Sequence, residues 1–167
     1  VKKLFYIGII AFATSFTSCK IYSFTGASIA PDIKTISIAN FENYASLAPG
    51  TMSQTFTEAL KDIFIAQTNL RLTDKYGDLQ FEGEIVDYIA NPVAISGGDQ
   101  AALNRLSITV NVRFTNTKDE TQTFEQRFTR FSDFESSRNL ADVEAVLIRQ
   151  INEQLVQDIF NKSVSNW

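Results

Sequence analysis

Few side chains in this sequence could do chemistry, and the gaps narrow the field. There is one thiol, Cys19, and no histidine in 167 residues. Without histidine there is no Ser-His-Asp triad, no imidazole-assisted thiol and no imidazole metal ligand. A single cysteine excludes an internal disulfide, a C-x-x-C redox pair and a cysteine-rich zinc site. Ser and Thr are plentiful, but no recognisable Ser–Lys motif would activate one. Gly97-Gly98 lacks the spacing of a dinucleotide fingerprint or a P-loop, and acidic residues show no calcium-loop spacing. Glu82 and Glu84 share one strand face, as glycosidase carboxylates can, yet no apolar cleft is marked around them. The residues therefore predict no enzyme, no cofactor and no metal. What remains is binding. Arg105, Arg113, Arg127 and Arg130 lie along two successive strands, either as solubilising surface charge with an Arg113–Glu125 pair or as a local basic patch suited to anionic phosphate groups. Phe131 and Phe134, beside it in TRFSDFESS, pack at the sheet edge or contact a partner. A net charge of −4 opposes a general nucleic-acid binder, which needs a dense basic face.

The setting of Cys19 gives it a role. Lys2 and Lys3 are followed by thirteen uncharged, mostly apolar residues from Leu4 to Phe16, then Thr17 and Ser18. Thirteen residues make a helix of roughly 20 Å, short of a hydrocarbon core of about 30 Å. A charged start, a short apolar stretch and small residues at the cut describe a signal peptide over residues 1–18. Cys19 directly after the cut resembles a bacterial lipobox, with Phe16 where Leu is usual and Thr17-Ser18 in place of Ala-Gly. Cys19 is the expected lipidation site, and several acyl chains would hold the protein on a membrane. Removing residues 1–18 takes away Lys2 and Lys3 and no acid, so the charge moves from −4 to −6.

The elements that would position these groups follow from periodicity. Hydrophobic residues at 44% and charged residues at 20% fit a folded domain rather than a disordered chain. Residues 19–32 read as a lipidated tether, and 33–167 as one domain. Ile36 and Ile38 alternate with polar neighbours as a first strand. Residues 43–50 read as a loop. Thr51 opens a helix with Gln54 three residues on, a T-x-x-Q capping box. Its apolar face carries Met52, Phe56, Ala59, Leu60, Ile63, Phe64 and Leu70.

A second strand holds Leu79, Phe81 and Ile85, and Asp87 breaks its alternation, which predicts a bulge near Val86. Asn91-Pro92 and Gly97-Gly98 read as the next loop. Leu106, Ile108, Val110, Val112 and Phe114 make the third strand, and Phe124 and Phe128 point inward from the fourth. A turn centred on Asp119 places Phe114 opposite Phe124, Val110 opposite Phe128, and Arg113 opposite Glu125. Asn139 can cap a last helix with the stripe Val143, Leu147, Ile151, Leu155, Ile159, Phe160 and Val164. Trp167 is expected to pack at its end. The fold class is α+β: a two-layer sandwich, a mixed four-stranded sheet with two helices on one face, in the order β-α-β-β-β-α. The other sheet face would be polar.

With these elements laid out, the sequence resembles the lipopolysaccharide-assembly lipoprotein (LptE) family in its Bacteroidetes form. The residues that carry the resemblance are CKIYSFTGASIAPD at 19–32, TMSQTFTEALKDIF at 51–64 and GDLQFEGEI at 77–85. NRLSITVNVRFTN at 104–116, FEQRFTRFSDF at 124–134 and EQLVQDIFNKSVSNW at 153–167 continue it. The resemblance implies an outer-membrane lipoprotein, lipid-anchored on the periplasmic side. It implies an outer-membrane barrel partner, the lipopolysaccharide translocon (LptD), which the lipoprotein plugs and helps to assemble. Direct binding of lipopolysaccharide is described for enterobacterial relatives. Lys20 is followed by no acidic run, which favours a periplasmic orientation over surface export. An alternative is a periplasmic lipoprotein of similar topology that activates a peptidoglycan synthase or serves a secretion channel. A carrier of acyl chains would need a deep cavity, and the helix stripes are expected to be used up by packing on the sheet.

Overall fold

Alternating burial builds the centre of the sheet. The computed structural model describes residues 29–93 and 102–164. Strands β4 (Leu79–Val93), β5 (Leu103–Asn116) and β6 (Phe124–Glu135) form an antiparallel meander. In β5, Leu106, Ile108, Val110, Val112 and Phe114 are wholly buried, one face of a period-two strand. Phe114 stands opposite Phe124, Val110 opposite Phe128 and Arg113 opposite Glu125, the register expected from the turn. The register of β4 against β5 shifts between Ile85 and Asp87, so the bulge falls at Val86. Leu79, Phe81 and Ile85 point inward before it, and Tyr88 after it.

Three short strands complete the sheet. β1 (Thr35–Ile38) runs parallel to β4, β2 (Glu42–Asn43) continues along the same edge, and β3 (Arg71–Thr73) lies parallel to β1 on its other side. The order is β3-β1-β4-β5-β6, with β2 paired to β4. The class is α+β as expected, with six strands among the described residues where four were anticipated. The additions are β2 and β3, which have two and three residues and so cannot display a period of their own. They exist because β4 and β1 offer them an edge.

Residues 74–78 carry the chain from β3 back across β1 to β4. The crossing is close: a Cβ on Gly77 would lie 2.5 Å from Ser37 N and 2.6 Å from the Ile36 carbonyl carbon. The Gly77 amide donates to Ser37 Oγ at 3.2 Å, and Tyr76 before it adopts φ 58°. Asp78 then locks the strap. Its carboxylate accepts from the amides of Lys34 and Thr35, both at 2.9 Å, and from Thr35 Oγ1 at 2.8 Å. Lys118 Nζ stands 3.3 Å away. Led by the Lys34 amide, these donors hold the Asp78 carboxyl well below the usual carboxylate range.

Asn91-Pro92 is not a loop; β4 continues through it, with Pro92 opposite Asn104. β2 ends at Asn43 opposite Ile85, so among the described residues this stretch of β4 has no strand on its other side. Proline is tolerated on such a free edge, where its missing N–H serves no ladder.

Helices α1 (Met52–Gln67) and α2 (Leu140–Val164) cover the inner face. From α1, Met52, Phe56, Leu60 and Phe64 are buried; from α2, every residue of the expected stripe is buried, joined by Ile148 and Val156. Full burial of each such side chain contributes about 1.5–3 kcal/mol, which outweighs local helix propensity. A chain of ring contacts ties the layers: Phe160 to Phe64, Phe64 to Phe81, Phe81 to Phe114, and Phe114 to Phe124, with centroids 4.8–5.2 Å apart.

The capping box does not form. Thr51 is itself helical in conformation and its side chain caps nothing, while Gln54 bonds Glu58 at 2.8 Å. Gln54 lies one turn before Glu58 on the exposed surface and has a partner there, so it does not reach back. The Asp142 amide donates to the Asn139 carbonyl at 3.2 Å where α2 begins. Cys19, Gly97-Gly98 and Trp167 fall outside the described residues.

Candidate partner-binding face

The helices leave the outer face of the sheet uncovered, and its residues align in rows across β4, β5 and β6. Glu82, Arg113 and Glu125 form one row, Glu84, Asn111 and Arg127 the next, then Asp87, Thr109 and Thr129. Ile89, Ser107 and Phe131 follow, then Asn91, Arg105 and Asp133. The bulge decides this membership. Before Val86 the even-numbered residues of β4 face outward, and after it the odd-numbered ones do.

Charge on this face is largely matched within itself. Arg105 grips Asp133 through two hydrogen bonds, Nε to Oδ1 at 2.7 Å and Nη2 to Oδ2 at 2.9 Å. This fork pushes the Arg105 guanidinium further up and holds the Asp133 carboxyl below its ordinary value. Glu125 accepts from Asn111 at 3.3 Å and from Arg113 at 3.2 Å, and these bonds lower its pKa. Thr109 and Thr129 share a hydroxyl hydrogen bond of 2.9 Å across the strands. Tyr44 donates to Glu42 at 2.7 Å, which raises the phenol above its usual range.

The four arginines do not form one patch. Arg105, Arg113 and Arg127 belong to the outer face, while Arg130 stands opposite Ile108 on the inner, helix-covered side. There it pairs with both carboxylate oxygens of Asp158 on α2, a link across the two layers. Arg127 is exposed and has no ion-pair partner among the described residues. The two phenylalanines separate likewise. Phe134 continues the inward alternation of Phe124 and Phe128 and is 8% exposed. Phe131 faces outward, 46% exposed, and the Arg105 guanidinium lies 3.6 Å above its ring. Its row-mate Ile89 is 45% exposed, and Tyr44, which follows β2, is 64% exposed. The face is therefore a hydrogen-bonded polar grid with a few large side chains standing out of it. Ile89 and Tyr44 escape a reading of the sequence because their faces depend on the bulge and on β2.

Among the described residues no group of His, Cys, Asp and Glu could hold a metal ion, and no helix is long and apolar enough to cross a membrane. Glu82 and Glu84 sit on the open sheet surface, not in a cleft.

Comparison with known proteins fits this architecture. Solved structures with the same fold include a minor lipoprotein from Acinetobacter baumannii, at 16% identity and TM-score 0.50, covering 78% of this chain and 91% of that one. A hypothetical protein from Chlamydia trachomatis matches at 9% identity and TM-score 0.54, covering 80% and 99%. A protein from Xanthomonas campestris matches at 10% identity and TM-score 0.55, covering 83% and 90%. No curated protein matches the sequence. The family model described as LptE, lipopolysaccharide-assembly, matches residues 33–163, the domain from its first buried isoleucine to the last turn of α2. That family consists of assembly lipoproteins, not enzymes. With the model spanning both helices and all six strands, the chain belongs to the lipopolysaccharide-assembly LptE family.

Proposed function

We propose that this chain is an outer-membrane lipoprotein, acylated at Cys19 and held on the periplasmic side. It serves as assembly factor and plug for the barrel of the lipopolysaccharide translocon. The observation that carries the reading is the family match over residues 33–163. The chemistry of the outer sheet face supports it. A barrel lumen is polar, and this face offers hydroxyls, amides and internally paired charges without a catalytic set. The exposed large groups on it, Phe131 stacked under Arg105 and Ile89 in the same row, are the kind of rigid anchors that dominate protein interfaces. Arg127 is the outer-face arginine left to pair with an anionic group on the partner or on lipopolysaccharide.

Depletion of the protein tests this function. The expected result is loss of correctly assembled barrel and of lipopolysaccharide at the cell surface. Normal levels of both after depletion would overturn the reading. Recovery of a peptidoglycan synthase or a secretion subunit as the main co-purifying protein, in place of a barrel, would move it to the alternative class.

A further inference from the structure

β6 is the last strand of the sheet, and among the described residues no strand pairs with its far side. Edges of this kind are normally guarded by proline, a bulge, lysine or an inward charge. β6 holds no proline, glycine or lysine, and it runs against β5 without a register shift. Its inward charge, Arg130, is already gripped by Asp158. The direction of its free groups follows from one bond. The Ser136 amide donates to the Ala102 carbonyl at 2.9 Å, one step beyond the Leu103–Glu135 pair of the ladder. Residues of an antiparallel ladder turn their backbone groups alternately to one side and the other. Even-numbered residues of β6 therefore bond β5, while Glu125, Arg127, Thr129, Phe131 and Asp133 present amides and carbonyls to the open edge.

The side chains on this edge complement a second copy of themselves. An added antiparallel strand must set outer-face residues opposite outer-face residues. A two-fold axis through Thr129 would put Glu125 against Asp133, and one through Arg127 would put that residue against its own copy. Axes through Phe128 or Ser132 match no charges. An axis through Gln126 leaves Phe131 and Asp133 opposite the turn before Phe124, beyond the second strand. One through Phe131 relies on Glu135, whose carbonyl is already taken by the Arg138 amide at 3.0 Å. An axis through Arg130 sets Arg127 opposite Asp133 twice and Thr129 opposite Phe131 twice. Arg127 is the exposed arginine of this strand with no ion-pair partner among the described residues. Glu125 and Glu135 meet at the two ends of this register, where Arg113 already holds Glu125.

We infer that two copies of this chain pair edge to edge along β6, antiparallel about an axis through Arg130, so that one sheet runs through both domains. The contact is isologous, the same surface on each copy. On its inner side β6 and α2 leave a hollow of about 500 Å³, lined by Arg130, Gln150, Glu153, Gln154, Gln157 and Asp158. Carboxamides donate and accept, so these glutamines can pair with their own copies across the axis. The two Arg130 side chains meet there with their charges already matched by Asp158. The pairing does not rest on the barrel reading. If that reading holds, Arg127 serves either the second copy or the barrel, and the dimer is the form of the chain outside the barrel.

Two differently tagged full-length copies, co-expressed and extracted in excess detergent, test the contact. Capture of one tag should retrieve the other. Arg127→Asp in both copies sets Asp against Asp133, and Asp133→Arg in both sets Arg against Arg127. Each should cut retrieval at least about tenfold, as like charges opposed across an interface do. Arg127→Asp in one copy with Asp133→Arg in the other makes opposite-charge pairs at both positions and should restore retrieval. No retrieval between wild-type copies would overturn the inference. So would retrieval that the charge variants leave unchanged, or a mixed pair that recovers no more than either variant with itself. Failure of the barrel reading would appear on depletion and leave retrieval between copies in place.

Discussion

Gly83 lies directly beneath Phe41. A Cβ at residue 83 would stand 2.5 Å from Phe41 Cε1 and 2.2 Å from the Asn111 carbonyl oxygen. Phe41 is wholly buried and packs edge-on against Phe56 of α1, with centroids 5.0 Å apart. The absent side chain in β4 is thus what lets the link between β1 and β2 close over the sheet and meet the helix. Gly83→Ala should destabilise the domain by about 1–3 kcal/mol, the usual range for overpacking. Phe41→Ala should cost about 3–5 kcal/mol as a cavity. Denaturant midpoints check both, and a Gly83→Ala midpoint equal to wild type would show that both Phe41 and the β5 backbone at Asn111 can give way.

Asp78 makes stability depend on acid. Its carboxyl is held below the usual range in the fold, whereas in the unfolded chain it titrates near about 3.9. The folded state therefore favours the charged form. That contribution is complete above the unfolded value and is lost as pH falls from about 4 toward the folded value. Asp78→Asn should lower the thermal midpoint at pH 7. It should also flatten the decline below about pH 4 relative to wild type, as read by thermal melts across pH.

Asn152 faces the opposite problem. It is 2% exposed in α2, and neither amide atom has a hydrogen-bond partner among the described residues. Leucine has the same branched four-heavy-atom side chain, though a bulkier one, and nothing to satisfy. Asn152→Leu should raise stability by about 1–3 kcal/mol, the penalty for an unmade buried bond. A lower denaturant midpoint would mean that the amide has a partner in solution.

The two faces of β6 separate partner contact from folding. Phe131→Ala with Arg127→Glu changes only outer-face residues and should cut recovery of the co-purified barrel by roughly tenfold or more while the domain stays folded. Arg130→Gln breaks the link to Asp158 on the helix side and should leave recovery unchanged. Equal loss in both variants would argue against the outer face as the contact.

Cys19→Ser should move the protein from the membrane fraction to the soluble fraction and end incorporation of lipid precursor. Retention on the membrane without label would exclude the lipid anchor.

Much of this fold was legible because period-two burial carries its own register. Once Val110 and Phe128 are both inward, only a turn near Asp119 pairs them, and Arg113 opposite Glu125 follows. The bulge at Val86 was legible for the same reason, since Asp87 breaks the alternation. The capping box failed as a guide because two residue types at the right spacing do not compel a bond. Asn91-Pro92 misled because proline marks a turn unless the strand edge beside it is free, and a free edge is a property of the neighbours. The arginines illustrate the limit for sites. Spacing put four of them on two strands, but parity sends Arg130 to the other face, where Asp158 waits on a helix 28 residues further along the chain.

The sequence by itself determined the inner faces of the long strands and of both helices, because alternation and helical spacing are local and the hydrophobic effect acts on each in the same direction. It also determined the absence of histidine and hence of imidazole chemistry. Only the tertiary structure decided that β2 and β3 exist, that residues 74–78 cross β1 where Gly77 alone fits, and that Arg130 is held by Asp158 on α2. Each of these depends on atoms brought together from distant positions, where an edge, a clash or a charge has no meaning until the chain has folded.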